Sequence, residues 1–260
     1  MSGTADEVGA VLEREWGSVT RLLAALEPAR WRTATRCAGW DVADLARHTV
    51  WGVSMEADAL RRMAAGDQGP ADGITLPDDS TPDVLLDALR DAVDDLCRRV
   101  RSLPDVSGDA LVPMPYGPVP LPAVLDVFVF EAAVHASDFA DAVGEDRPLA
   151  ADVVAPVVAV LDGFLPMMAS ATTAELPVGC SFALVGSTVR LRGHWDEGTG
   201  LVMGGDDPAA DGSEPTMTVR GDDSSVLLFA LGRLPADHPS LDVRGSARLA
   251  REFKQIVPGP

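Results

Sequence analysis

A chain of 260 residues, 47% hydrophobic and 23% charged, has ordinary globular composition rather than that of a disordered segment, and its length allows one large domain or two modest ones. The formal net charge of −19 argues against a nucleic-acid partner, which needs a basic face to release counterions from phosphate. With 26 acidic and 13 basic side chains in residues 1–150 and 14 and 8 in residues 151–260, the excess is a solvated skin and not an acidic tail.

The three cysteines, Cys37, Cys97 and Cys180, are too sparse and too odd in number for a disulfide framework. They form no Cys-x-x-Cys pair, which excludes a zinc ribbon or a thioredoxin-type motif. Residues 1–16 carry acidic side chains and no apolar core, so no signal peptide is read there. The longest apolar runs, near Leu125–Phe130 and Val153–Leu161, read as too short or too interrupted to span a bilayer. A cytoplasmic protein with no membrane partner is expected.

Along the chain, Val8, Val11, Leu12, Trp16, Val19, Leu22, Leu23 and Leu26 recur at helical spacing, predicting a helix over 5–26 that Glu27-Pro28 ends. Residues 30–40 read as a connecting loop closed by Gly39. Asp41 is the predicted N-cap of a second helix, with Asp44 favourable to its N-terminus and Gly66 its stop. A polar loop over 66–81 leads to a third helix, with Thr81 as cap and Pro82 as first residue, running to about Leu103. A long proline-containing loop follows to Pro120, then a fourth helix over 121–143 stopped by Gly144. Four helices of this length predict a four-helix bundle with long crossovers.

The texture then changes. A fifth helix is predicted over 151–170, followed by short strands over 180–185, 188–192, 200–203 and 216–220. Gly186-Ser187 reads as the hairpin turn between the first two strands. Helix over 223–231, strand over 241–244 and helix over 246–256 complete a small α+β domain, with its boundary near 145–175.

Among four histidines, His48 lies on the second helix and His135 on the fourth, with Glu131 four residues before His135. Residues at i and i+4 share a helix face, so Glu131 and His135 converge on one point that His48 reaches from another helix. Two histidines and a carboxylate with open positions are a catalytic metal signature, and bundles build such sites from facing helices. The bland alternative is a satisfied polar pair on a partly exposed face. Against it stands the setting of Glu131 after Val124, Leu125, Val127, Phe128, Val129 and Phe130, where a carboxylate is costly without a partner.

The stretch Cys37-Ala38-Gly39-Trp40-Asp41-Val42-Ala43-Asp44-Leu45-Ala46-Arg47-His48 resembles the N-terminal signature of the mycothiol-dependent maleylpyruvate isomerases, within the DinB-like metalloenzyme superfamily. Glu131-x-x-x-His135-x-x-Asp138 followed by Ala142-x-Gly144 is the second match. The pieces Thr216–Asp222, Leu227–Arg233 and Val243–Ser246 resemble the family's C-terminal domain more weakly. The resemblance implies an α+β fold: a DinB-like metal-binding four-helix bundle over 1–147 and a small α/β, sterol-carrier-like domain over 148–260. It implies His48, Glu131 and His135 as ligands of a divalent metal, usually zinc, and mycothiol as thiol cosubstrate. Arg220, Arg233 and Arg244 are then candidates for contacts to that cosubstrate. The single lysine, Lys254, against 20 arginines suggests high-GC coding and fits an actinobacterial source.

Asp138, three residues past His135, reads equally as acceptor of a ligand histidine's free N–H or as a solvent-facing helix carboxylate. Trp51 reads as a pocket wall or as core packing. Cys37 reads as a structural thiol, His194 and His238 as surface histidines, and Gly204-Gly205 shows no phosphate-loop pattern. No reactive cysteine is expected at the site, so the nucleophilic sulfur must arrive with a small molecule. The expected activity is thiol addition to an electrophile, ending in isomerisation or S-transfer; the alternative is a non-catalytic metal-binding or regulatory module.

Overall fold

Each helix of the N-terminal half begins at a residue that satisfies its free N–H groups or lacks one. Helix α1 (Ala5–Ala24) starts in a capping box: Glu7 N donates to Thr4 Oγ1, and Thr4 N to Glu7 Oε2. Helix α2 (Val42–Ala65) repeats the device, Asp44 N donating to Asp41 Oδ1 and Asp41 N to Asp44 Oδ2. It ends at Gly66, whose φ of 68° is left-handed. Helix α3 (Pro82–Arg101) and helix α4 (Leu121–Ala142) carry proline in their first turn, where no donor is missed. Asp41→Ala is expected to lower stability by about 1 kcal/mol, the usual worth of such a cap, and thermal denaturation reads it as a fall of a few degrees.

The structure, a computed structural model, describes residues 4–104, 108–171, 177–204 and 214–257. Gly205 and the first three residues, on which parts of the sequence reading fall, lie outside them. The chain divides into two units, Met1–Arg147 and Pro148–Pro260. In the first, α1 packs on α3 and α4, and α2 packs on the same two, which is a four-helix bundle. Trp16, Leu45, Leu85, Leu89, Phe128 and Phe139 fill its interior.

Two elements were not expected. A 3-10 turn at Pro28–Arg32 opens the first crossover and buries Trp31. The third crossover contains a hairpin, β1 (Leu111–Met114) paired antiparallel with β2 (Gly117–Pro120). Pro113, Pro118 and Pro120 are tolerated because both strands of a two-stranded ribbon are edges. The hairpin packs on α2 and α4, and Pro113 O accepts from Ala71 N of the second crossover.

In the second unit, five strands run in the order β5-β4-β3-β6-β7: β3 (Ser181–Val185), β4 (Arg190–Asp196), β5 (Gly200–Met203), β6 (Met217–Arg220) and β7 (Asp242–Gly245). All neighbours are antiparallel except β3 and β6. Helix α5 (Ala151–Ser170) packs on β5 and α6 (Asp223–Ala230), and α7 (Ala247–Ile256) packs on β6 and β7. Phe182, Trp195, Phe229 and Phe253 form an aromatic cluster in this unit, with ring centroids 5.2–6.3 Å apart. Asp223 accepts from Thr188 N and Val189 N and so closes the β3–β4 turn.

One expectation about apolar runs is corrected here. Helix α5 continues through Pro156 and Pro166 for 20 residues, with a mean hydropathy of 1.8 over its most apolar window, long and apolar enough to cross a membrane. The two prolines suggest interruption in the sequence, yet they remove donors without ending the helix. Half of that window is buried in the structure, the behaviour of a core helix.

Candidate metal centre

Helix α4 is buried on nearly all sides, and its polar residues are therefore conspicuous. His135 is 4% exposed and its ring is held at both nitrogens. Nε2 lies 3.1 Å from Glu131 Oε2, one helical step before it. Nδ1 lies 3.2 Å from Asp138 Oδ2, one turn after it. Asp138 is 0% exposed, so of the two readings of this residue the solvent-facing one falls.

From α2, His48 brings its ring to 5.2 Å from that of His135, edge to face. His48, Glu131 and His135 each offer one ligand atom, and these atoms lie within 4.8 Å of one another. Burial, and then the neighbouring His135, push the His48 imidazole below its usual pKa and favour the neutral ring, the form that binds metals. Burial opposes charge on His135, but Asp138, Cys37 and Glu131 outweigh it and hold its pKa well above the usual value.

The environment of Glu131 answers the cost noted from sequence: its side chain keeps 28% exposure and is paired with His135. Two imidazoles and a carboxylate with a second carboxylate fixing one ring form a donor set suited to a divalent cation with positions left open.

His48 also borders open space. A cleft of about 510 Å³ is lined by Gly39, Trp40, His48, Trp51, Thr75 and Leu76, among others. Trp51 thus takes the role of a pocket wall. The Trp40 ring lies 4.7 Å from that of His48. The second crossover is pressed onto α2 here: a Cβ on Gly73 would collide with the Trp51 carbonyl, so only glycine fits, and Ile74 N donates to Ser54 Oγ at 2.7 Å. Arg47, also at this cleft, is spent on structure, bound to Asp44 and to the carbonyls of Pro77 and Asp78.

Two site neighbours escaped the sequence reading. Glu56, two turns beyond His48 on α2, is 2% exposed and its Oε2 has no hydrogen-bond partner. Burial, then Glu131, push its carboxyl well above the ordinary range. The signal was available, since Glu56 falls among the apolar Val53, Ala57 and Leu60. Tyr116, at the tip of the β1–β2 hairpin and 61% exposed, is pushed up to about 12 by partial removal from water and then by the charges of Glu131 and Glu56. Cys37, read as a structural thiol, is buried and lies within 3.5 Å of Asp138 Oδ2.

The three arginines of the second unit are placed differently. Arg220 on β6 and Arg244 on β7 are exposed, and the register sets Thr218 opposite Arg244, so both arginines share one sheet face. Arg244 pairs with Asp242. Arg233 is buried and donates to the Leu231 carbonyl. His194 lies exposed on β4, and His238 accepts from Ser240 N.

Residues 12–140 match the family described as "Mycothiol maleylpyruvate isomerase N-terminal domain". Crystal structures of the mycothiol-dependent maleylpyruvate isomerase and of a histidine-to-alanine mutant of it share the fold, each with a TM-score of 0.65 over 93% of both chains, at 15% and 14% identity. The curated proteins give no match. The matched span holds α2 and α4 and, with them, His48, Glu131 and His135; through this N-terminal domain the chain belongs to the mycothiol maleylpyruvate isomerase family.

Proposed function

We propose that the chain is a mycothiol-dependent metalloenzyme, adding the thiol cosubstrate to an electrophilic small molecule and completing either an isomerisation or an S-transfer. The observation that carries this reading is the convergence of His48, Glu131 and His135 within 4.8 Å, with His48 also lining a cleft, inside a domain of this family. A divalent cation bound there, most simply Zn2+, supplies the Lewis acidity that makes a thiolate available at neutral pH.

The chain's own residues do the rest. His48 offers a neutral nitrogen, His135 would release its Nε2 proton on binding a cation, and Glu131 adds one negative charge, so the occupied centre would keep a net positive charge that favours an anionic sulfur. Asp138 holds the Nδ1 proton of His135, so that Nε2 is the nitrogen offered. Trp40 and Trp51 give the cleft apolar walls that accept a small organic substrate and exclude water. Arg220 and Arg244, exposed on one face of their sheet, remain the candidates in the second unit for holding the polar part of mycothiol, with Arg233 less available because it is buried.

The test is a purified sample loaded with zinc and incubated with mycothiol and a panel of electrophiles: maleylpyruvate, activated alkenes and epoxides. Consumption of thiol, or cis–trans conversion without consumption, above the protein-free rate is expected, and which of the two occurs separates S-transfer from isomerisation. Neither conversion nor mycothiol binding would favour a non-catalytic metal-binding module. Absence of bound metal after loading would overturn both.

A further inference from the structure

The segment between the 3-10 turn and α2 is built more tightly than a connection requires. Thr35 N and Thr35 Oγ1 both donate to the Trp40 carbonyl, at 2.9 and 3.0 Å, and Cys37 N donates back to Thr35 Oγ1 at 3.1 Å. Trp40 N closes the turn onto the Cys37 carbonyl at 3.0 Å, through Gly39 at a left-handed φ of 83°. Ala34 bridges Asp41 across the neck of the loop. Arg36 ties it to α4 through Asp141, Nη2 to Oδ1 2.7 Å.

This rigid turn reaches both histidines. Trp40 stands against the His48 ring, 4.7 Å between centroids. Cys37, buried, directs Sγ to Asp138 Oδ2 at 3.5 Å, and the same oxygen lies 3.2 Å from His135 Nδ1. Cys37, Asp138 and His135 are thus a second convergent group, sharing His135 with the first but meeting it at the opposite ring nitrogen.

We propose that Cys37 is a positioning residue: its thiol donates to Asp138, holding that carboxylate against His135 Nδ1 so that Nε2 is presented toward Glu131 and His48. The inference rests on the metal-centre reading above and adds to it a residue that never touches the metal. A sulfur donor suits the place. Asp138 is wholly enclosed, and the thiol gives its Oδ2 a second donor.

The experiment uses the whole chain loaded with Co2+, comparing wild type, Cys37→Ala, Cys37→Ser, Asp138→Ala and the Cys37→Ala/Asp138→Ala pair. Loss of a ligand histidine's supporting interactions typically weakens metal binding about 10–100-fold. Cys37→Ala, one step further out, is expected to weaken Co2+ binding roughly tenfold, at the low end of that range. Cys37→Ser, which keeps a donor, is expected to retain wild-type affinity, and Cys37→Ala is expected to add nothing in the Asp138→Ala background. The wild-type spectrum should carry d–d bands and no thiolate-to-cobalt charge-transfer band. Such a band, lost in Cys37→Ala, would make Cys37 a ligand and overturn the proposal. Equal losses in the serine and alanine variants, or a full additional loss without Asp138, would reduce Cys37 to packing.

A metal-free readout keeps the two readings separate. In apo protein, long-range 1H–15N spectra should show a protected His135 Nδ1 proton in wild type and Cys37→Ser, exchanging faster in Cys37→Ala. Unchanged exchange overturns the positioning role whether or not cobalt binds; failure of wild type to bind cobalt overturns the metal reading alone.

Discussion

His135→Ala is expected to abolish zinc uptake and to destabilise the bundle by about 3–5 kcal/mol, whereas His48→Ala is expected to abolish uptake at little cost to stability. Each substitution removes one of the three proposed ligands, so both should exceed the ~10–100-fold loss typical of perturbing a ligand's hydrogen-bond partner. Their structural surroundings differ. His135 is the partner of Asp138, which is 0% exposed, and its removal takes a 3.2 Å charge-assisted hydrogen bond from that buried carboxylate. His48 is partly exposed at the cleft and contacts Trp40 and His135 through ring faces and edges, with no buried charge depending on it. In a chain of this size, 3–5 kcal/mol corresponds to a melting point lower by roughly 6–20 °C. His135→Asn keeps an N–H near the Nδ1 position and should recover part of that loss without recovering zinc. Equilibrium dialysis against zinc and thermal denaturation of the metal-free variants measure the two effects. Stoichiometric zinc in either alanine variant rejects the ligand set, and equal melting points reject the Asp138 pairing.

What sequence could reveal of this site follows from which interactions are local. Helix ends were legible because their signals lie within four residues: the Asp41–Asp44 box, Gly66 at a left-handed φ and Pro82 in the first turn of α3. The Glu131–His135 pair is local in the same sense; His48 was joined to it from its place on a second bundle helix, and the motif resemblance then pointed to the same three residues. Asp138 stayed ambiguous because the i+3 relation to His135 says that they are neighbours but not what covers them. The cover is the turn at 35–40, over a hundred residues away in sequence, and it also carries Cys37. Helix α4 itself gave no warning, since a helix buried nearly all round has no polar stripe from which to read an orientation. The β1–β2 hairpin was hidden by its prolines, which mark a loop in most settings and are allowed here only because the ribbon has two edges.

Glu56→Gln is expected to stabilise the metal-free protein at pH 8 by about 1–3 kcal/mol and to leave it unchanged near pH 4. The carboxyl is 2% exposed, its Oε2 lacks a hydrogen-bond partner, and burial followed by the charge of Glu131 raises its pKa well above the ordinary range, with only His135 acting in the opposite direction. Tyr116 from the hairpin and Cys97 from α3 also feel its charge, and neither is a cation that would offset it. A group whose folded pKa is raised binds more protons in the folded than in the unfolded state between the two values. Its contribution is therefore fully present below the unfolded carboxyl pKa of about 4.3 and is lost as pH rises toward the folded value. Glutamine carries no such dependence, so the variant's advantage should grow with pH over that window. Urea unfolding at a series of pH values, with chelator present, measures it. An advantage that is flat with pH would mean that Glu56 takes up its proton equally in the folded and unfolded states, which overturns the raised carboxyl. Repeating the series with zinc tests the site and the residue together. A cation held by Glu131 and the two histidines lowers the cost of ionising Glu56, so the advantage at pH 8 should shrink when metal is bound, and an unchanged advantage would place the metal away from these groups.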